Sequence, residues 1–172
     1  MNLAMSAVTA ALFLAAIFLN ELLFKHFEFA AGISWIYLPA GVRLLCTLLF
    51  AEAGAIGILA ASWVICFFYF FPDDPIRSFA GGILAALAPY LTYRLLVAGR
   101  VGASLSGLGP WRLLGCALAF SITSPLLHHL WFALQGQREG LLDSFIVMAS
   151  GDLIGTLIVL YTAKLVLSLR KS

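Results

Sequence analysis

Long apolar stretches, separated by short polar connections, fill almost the whole of this 172-residue chain. Hydrophobic residues make up 63% of the sequence and charged residues 10%, whereas a soluble domain carries roughly 25% charged residues. Helices of about 20 apolar residues satisfy their own backbone hydrogen bonds in hydrocarbon, so they are the expected spanning unit. The sequence therefore predicts an all-α, polytopic transmembrane helix bundle in direct contact with the lipid bilayer.

The apolar stretches predict about six spans in a single transmembrane domain over residues 1–172, with no soluble domain. The second span is the shortest, and residues 51–54 alone separate it from the third. A five-span bundle with a re-entrant second segment is therefore the alternative. The predicted spans cover residues 4–24, 35–50, 55–71, 79–98, 111–132 and 141–167.

The distribution of lysine and arginine predicts the orientation of the bundle. With six spans, one face carries six of these residues and the other face carries three. Short cytoplasmic loops collect positive charge, so both termini are expected in the cytoplasm. The inner face holds Arg94, Arg100, Arg112, Lys164, Arg170 and Lys171, and the outer face holds Lys25, Arg77 and Arg138.

Arg43 and Asp152 each interrupt an apolar stretch long enough to cross a bilayer. Ionisable groups at such positions usually face a bundle interior or a water-filled cavity and mark a candidate site. At a helical rise of about 1.5 Å per residue, Arg43 lies roughly 12 Å and Asp152 roughly 16 Å inside the outer ends of their spans. We expect either a buried ion pair or a site for an anionic or polar ligand entering from outside, and the sequence leaves both open.

Further polar residues fall near the outer ends of the predicted spans. Carboxylates and imidazoles in such positions can bind a transition metal or relay protons. The adjacent His128 and His129 point about 100° apart on a helix, so they cannot both ligate one ion without distortion. We therefore expect interfacial hydrogen bonding, with no metal site and no cofactor. This polar outer cluster consists of Glu21, His26, Glu28, His128, His129 and Asp143.

Two short motifs frame the ionisable residues. The first, WIYLPAG, begins at Trp35 and contains Pro39 and Gly41 just before Arg43. A proline here is expected to kink or break the helix and to free backbone groups that can line a cavity.

The second motif, GDLIGT, begins at Gly151 and brings two glycines, Gly151 and Gly155, around Asp152. Small residues at this spacing let a neighbouring helix approach closely. Glycines in this pattern are more often packing devices than ligand sites.

Taken in order, the two motifs resemble those of the MASE1 family of bacterial membrane-associated sensor domains. Members of that family have a W-x-P-A-G-like approach to an early helix and a G-D-x-x-G element in the last helix. The likeness runs from Gly32 to Leu160, and this chain has Ile36 and Tyr37 as extra residues before Leu38. The resemblance implies a multi-pass sensor in the bacterial inner membrane that passes its signal to an output domain such as a diguanylate cyclase or histidine kinase.

The chain is shorter than a typical member of that family and carries no output domain before Ser172. We therefore expect a sensory or ligand-binding module that signals through, or associates with, a partner membrane or cytoplasmic protein. A homo-oligomer is compatible with this expectation. Nucleic acid is not an expected partner, because no basic tract is long enough to bind it.

Two other functions are also compatible with the sequence. The chain also resembles a substrate-binding membrane subunit of a small-solute or metal-ion transporter. A structural subunit of a larger membrane complex would need only an apolar outer surface. An enzyme is not expected, and no catalytic residue is assigned, because the sequence contains no nucleophile elbow, zincin pattern or paired acidic motif.

Overall fold

The structure is a computed structural model that describes residues 2–96, 109–137 and 139–169. Within these residues the chain forms six α-helices, two shorter helical segments and a two-stranded antiparallel hairpin. The α-helices are α1 (Asn2–Phe24), α2 (Leu38–Phe50), α3 (Glu52–Ile65), α4 (Pro75–Leu96), α5 (Pro110–Leu134) and α6 (Leu141–Leu169). The shorter elements are the 3-10 helix Lys25–Phe27, strands β1 (Glu28–Ala30) and β2 (Ile33–Ser34), and the π-helical segment Cys66–Phe70.

Five helical segments are long and apolar enough to cross a membrane. Large apolar side chains such as Phe18, Phe68 and Trp111 are exposed on the outside of the bundle. A surface of this kind is suited to lipid, because soluble proteins rarely expose large contiguous apolar areas. The predicted all-α fold is confirmed, and the apolar helices are those of a multi-pass membrane protein. The five segments are Asn2–Phe27, Glu52–Phe70, Pro75–Leu96, Pro110–Leu134 and Leu141–Leu167.

One end of the bundle carries most of the features that matter for a site. The C-terminal ends of α1, α3 and α5 and the N-terminal ends of α2, α4 and α6 meet there, together with the β1–β2 hairpin. Strand β2 packs against α6, and the Glu21 carboxylate near the end of α1 accepts a hydrogen bond from Tyr69 after α3. We name this the hairpin end.

Helix α2 is the central element of the bundle and the shortest of the six helices within the described part of the chain. It contacts α1, α3, α4 and α6, and nine of its 13 residues are buried. At about 1.5 Å per residue, α2 covers about 20 Å, which is less than the roughly 30 Å of a hydrocarbon core. Of the predicted span over 35–50, only Leu38–Phe50 is helical.

Residues 34–37, which we name the lead segment, run from the last residue of β2 to the start of α2 without forming a helix. Their backbone groups find partners inside the protein. The Trp35 N–H donates to the Phe27 carbonyl (3.0 Å), and the Tyr37 N–H donates to the Gly151 carbonyl (3.2 Å). Irregular backbone at membrane depth is tolerated only where protein or a water-filled cavity surrounds it. The lead segment is therefore enclosed by other parts of the protein.

Helix α2 receives its N-terminal cap from a distant part of the chain. The Leu38 N–H at the start of α2 donates to Asn20 Oδ1 of α1 at 2.9 Å, and Asn20 is buried. The first N–H groups of a helix have no partner within that helix. Asn20 thus supplies an acceptor for the Leu38 N–H, which would otherwise lack a hydrogen-bond partner in an apolar environment.

The single residue Ala51 separates α2 from α3, so α3 begins at Glu52 and not at the predicted residue 55. Ala51 has a φ of +50°, a backbone conformation that favours glycine. Gly54 of α3 lies against the backbone carbonyl of Cys46 in α2, so the chain reverses direction at this one residue. Helices α2 and α3 therefore form a tight antiparallel pair.

The remaining helix boundaries lie within a few residues of the predicted ones, apart from the start of α4. That helix begins at Pro75 and not at residue 79, because the Asp74 side chain caps it by accepting the Arg77 N–H at 2.9 Å. Residues 97–98, at the predicted end of this span, lie outside the described residues. The same is true of Arg100, Arg138, Arg170 and Lys171, which contribute to the predicted orientation.

Substitution of Asn20 tests the cap on α2. We expect Asn20→Leu to lower the free energy of unfolding by about 1–3 kcal/mol, because the buried Leu38 N–H loses its acceptor. Titration with SDS in mixed micelles, followed by circular dichroism, measures this. Leu22→Ala at an exposed position of α1 is the control, and a loss no larger than that of the control would contradict the capping role.

Candidate functional site

The structure brings Arg43 and Asp152 together, although they are far apart in the chain. Arg43 Nη2 donates to Asp152 Oδ1 at 3.3 Å, and the two side chains are only 3% and 1% exposed. Two buried opposite charges at this distance form an ion pair. They join α2, the central helix, to α6, the last one.

Three glycines set the separation of α2 and α6. A Cβ added to Gly151 would run into the carbonyl oxygen of Ser34, and one added to Gly155 would run into that of Tyr37. A Cβ on Gly41 would likewise overlap the Gly155 carbonyl. Helix α6 therefore lies directly against the lead segment and the first turn of α2, as small residues permit.

Pro39 lies in the first turn of α2. A proline at this position costs no intrahelical hydrogen bond, because the first N–H groups of a helix have no partner there. Pro39 therefore lies at the start of α2, whereas the sequence predicts that it kinks or breaks a longer helix. The non-helical backbone that was expected near Pro39 is the lead segment that precedes it.

The relative depth of the two charges also differs from the expected one. Gly41 lies against Gly155, so Asp152 is nearer to the hairpin end than Arg43, whereas the sequence predicts similar depths for the two residues. Side chains in a helix tilt toward its N-terminus. The long Arg43 side chain can therefore reach back along α2 to the level of Asp152.

The ion pair leaves hydrogen-bonding capacity unused. One hydrogen bond of 3.3 Å joins the two groups, whereas strong arginine–carboxylate pairs are often bidentate and nearer 2.7–2.9 Å. Arg43 Nε and Asp152 Oδ2 are buried with no hydrogen-bond partner among the described residues. The rings of Tyr37 and Phe120 flank the guanidinium, with centroids 5.7 and 5.4 Å from Arg43 Cζ. Arg43 therefore retains donor capacity for another group.

Arg43 lines a cavity of about 70 Å³ at the hairpin end. This volume exceeds the roughly 10–15 Å³ that one water molecule requires. The polar lining includes Arg77 and His128 beside Arg43, and Asp152 is not part of the lining. Six aromatic side chains also line the cavity, namely Phe13, Tyr37, Phe70, Phe71, Trp131 and Phe132.

Arg77 is a residue of this cavity that the sequence analysis assigned only to the positive charge of the outer face. Its guanidinium stacks on the Phe71 ring (4.1 Å to the centroid) and approaches the Phe132 ring (5.5 Å). Its Nε is buried without a hydrogen-bond partner, and Arg77 forms no ion pair within the described residues. The sequence carries one signal for this role. Arg77 comes just after the aromatic run and the turn that end the third span.

The two adjacent histidines have different surroundings. His128 lines the cavity, and its Nδ1 lies 2.8 Å from the Ser124 carbonyl oxygen. His129 is buried, and its Nε2 lies 2.7 Å from Ser144 Oγ in α6. His129 therefore helps to join α5 to α6, while His128 faces the candidate site.

The other members of the predicted polar outer cluster lie apart from the cavity. Glu21 is half-buried and accepts the Tyr69 hydroxyl at 3.0 Å, while His26, Glu28 and Asp143 are exposed. Among the residues that the structure describes, no three histidine, cysteine or acidic side chains are grouped so that they could hold a metal ion. Of the six predicted residues, only His128 lines the cavity next to Arg43.

Comparison with known proteins gives no match to a family model, to a curated protein or to a solved structure. The resemblance to the MASE1 family therefore rests on the two sequence motifs alone and stays a prediction.

The close packing of α6 against the lead segment can be tested with one added methyl group. We expect Gly155→Ala to lower the free energy of unfolding by about 1–3 kcal/mol, because the methyl group overlaps the Tyr37 carbonyl. Gly115→Ala in α5 is the matched control, since nothing lies within 4 Å of that position. SDS titration that finds equal effects for the two variants would contradict the proposed packing role.

The contribution of the buried ion pair can be measured with a double-mutant cycle. We expect Arg43→Gln or Asp152→Asn alone to cost about 3–5 kcal/mol, because each leaves one buried charge without its partner. The double variant should cost less than the sum of the two. The exposed pair Arg94–Glu52 (3.7 Å, 57% and 61% exposed) is the control and should contribute under about 1 kcal/mol. Additive losses at Arg43 and Asp152 would contradict their coupling.

Proposed function

We propose that this protein is a multi-pass module of the bacterial inner membrane that binds a small anionic ligand beside Arg43 and signals its presence to a partner protein. The observation that carries the proposal is the cavity of about 70 Å³, which two arginines line together with six aromatic side chains. An intramembrane arginine that faces such a space is a functional candidate by default.

The charge balance of the cavity favours an anion. Arg43 is paired with Asp152, but Arg77 is paired with no carboxylate among the described residues. A positive charge in apolar surroundings is costly unless an opposite charge or hydrogen bonds compensate it. A carboxylate would match the fork of donors on a guanidinium. We therefore propose a small carboxylate ligand with a short apolar part that contacts the rings of the wall.

The proposed topology has six spans, with the lead segment and α2 together forming the second. Both termini are then cytoplasmic, and the hairpin end faces the outside. The excess of lysine and arginine on the opposite face, six against three, supports this orientation. A ligand would reach Arg43 from the outer side of the membrane.

A route for the signal follows from the ion pair. An anion at Arg43 competes with Asp152 for the same guanidinium, so binding weakens the polar link between α2 and α6. Helix α6 runs from the hairpin end to the proposed cytoplasmic side, where a partner can detect its displacement. A ligand shifts such an equilibrium only if it binds the two arrangements of α2 and α6 with different affinity. The resemblance to the MASE1 family supports this sensory role.

Transport is the second candidate, and one feature of the fold favours it. Transporters often place their substrate sites at discontinuous helices near the middle of the membrane. The non-helical lead segment followed by the short, buried α2 has this character. Uptake of the retained ligand into proteoliposomes would favour transport, whereas binding without uptake favours the sensor.

Native mass spectrometry of protein extracted gently from its host membrane tests the binding function. We expect an adduct of one small anionic molecule, because the cavity carries an uncompensated positive charge. The variant Arg43→Gln with Asp152→Asn removes both charges together and should lose the adduct. The matched control, Glu52→Gln with Arg94→Gln, removes the exposed pair and should keep it. An adduct that persists without Arg43, or no adduct in the unaltered protein, would refute the proposal.

A further inference from the structure

We propose that the side of the bundle between α4 and α5 binds one phospholipid with a zwitterionic, amine-bearing headgroup, of the phosphatidylethanolamine type. This site goes beyond the proposed function, because it opens toward the bilayer and takes a lipid in place of the cavity ligand. Two adjoining pockets at the hairpin end, one apolar and one polar, carry the inference.

The apolar pocket is a groove of about 510 Å³ that is open to the membrane. Ile76, Phe79 and Ile83 of α4 line it, and all three side chains are exposed. They lie on one face of the helix at intervals of three and four residues. Trp131 of α5 forms the opposite wall. A hydrocarbon chain is the occupant that matches a groove with apolar walls on the outside of a membrane helix.

The polar pocket has a volume of about 220 Å³ and lies at the end of the groove. Ile76 and Trp131 line both pockets, so the two adjoin. The polar pocket lies where α4 begins and α5 ends, which is the level of a headgroup for a helix that crosses the membrane. A chain in the groove would therefore bring its headgroup into this pocket.

The charges of the polar pocket match a zwitterion better than an anion. Arg77 and Asp74 both line it, so it carries one positive and one negative side chain. The Arg77 guanidinium is held against the Phe71 ring at 4.1 Å and lines the pocket without an ion-pair partner among the described residues, so its Nη groups can donate to a phosphate oxygen. Asp74 uses Oδ1 to cap α4, which leaves Oδ2 to accept a hydrogen bond from an ammonium group.

Two glutamines complete the polar pocket. Gln135 and Gln137 follow the end of α5, and both line the pocket opposite α4. Each side-chain amide offers two donors and one acceptor, so it can bind either phosphate oxygens or an ammonium group. A quaternary ammonium has no N–H to donate, which is why the structure favours a primary amine over a choline headgroup.

Competition among lipids with identical acyl chains tests the proposal. Protein in detergent is mixed with equal amounts of dioleoyl phosphatidylethanolamine, phosphatidylglycerol and phosphatidylcholine, and retained lipid is counted by native mass spectrometry. We expect one phosphatidylethanolamine to be retained in preference to the other two. Equal retention of the three lipids, preference for either of the others, or retention of none would overturn the proposal.

Asp74→Asn gives the sharper test, because asparagine caps a helix as well as aspartate does. Without the carboxylate the pocket has a net positive charge, so the preference should move from phosphatidylethanolamine to phosphatidylglycerol. Retention of phosphatidylethanolamine should fall roughly tenfold, the loss expected for one charge-assisted hydrogen bond. An unchanged preference would overturn the proposal. Arg94→Gln, at the other end of α4, is the control and should alter nothing.

The lipid site and the proposed ligand site share Arg77, but they can fail separately. Asp74 does not line the cavity beside Arg43, so Asp74→Asn should leave the small-molecule adduct in place. The variant Arg43→Gln with Asp152→Asn should in turn keep its phosphatidylethanolamine. In the unaltered protein, absence of lipid selectivity with the adduct present would count against the lipid site alone, and selective lipid retention without the adduct would count against the proposed function alone.

Discussion

The structure depends on one constraint of a low-dielectric environment, namely that every backbone N–H and C=O must find a partner within the protein. The lead segment is the place where this constraint is hardest to meet, because it is not helical. Asn20 from α1 and the Gly151 carbonyl from α6 supply partners at its end. Both come from other helices, so the lead segment can form only when the bundle is assembled around it.

The same contact determines where the charges meet. Gly151 and Gly155 let α6 lie directly on the lead segment, and Asp152 follows Gly151 in the chain. A bulkier residue at either glycine would move the carboxylate away from Arg43. The ion pair is therefore a consequence of backbone packing. Its single long hydrogen bond indicates that packing fixes the two groups near each other without optimising the bond between them.

Much of the fold could be predicted because long apolar stretches accumulate transfer free energy over about 20 residues. The meeting of Arg43 and Asp152 follows from the same reasoning, since isolated charges are costly in hydrocarbon. The late start of α2 could not be predicted, because its cap comes from Asn20. The aromatic run before Arg77 is a local signal for its role, but the Phe132 ring comes from α5, and that contact could not be predicted. Such features depend on tertiary contacts that no local pattern encodes.

The joint at Ala51 has a mechanical consequence. A glycine at that position would sample many backbone conformations, whereas an alanine held at a φ of +50° has few alternatives. The corner is therefore stiff, and it has no additional residues to absorb motion. Weakening of the Arg43–Asp152 hydrogen bond would permit α2 to shift along its axis. Such a shift would be transmitted to the first turn of α3. We therefore expect α2 and α3 to move together as one rigid body.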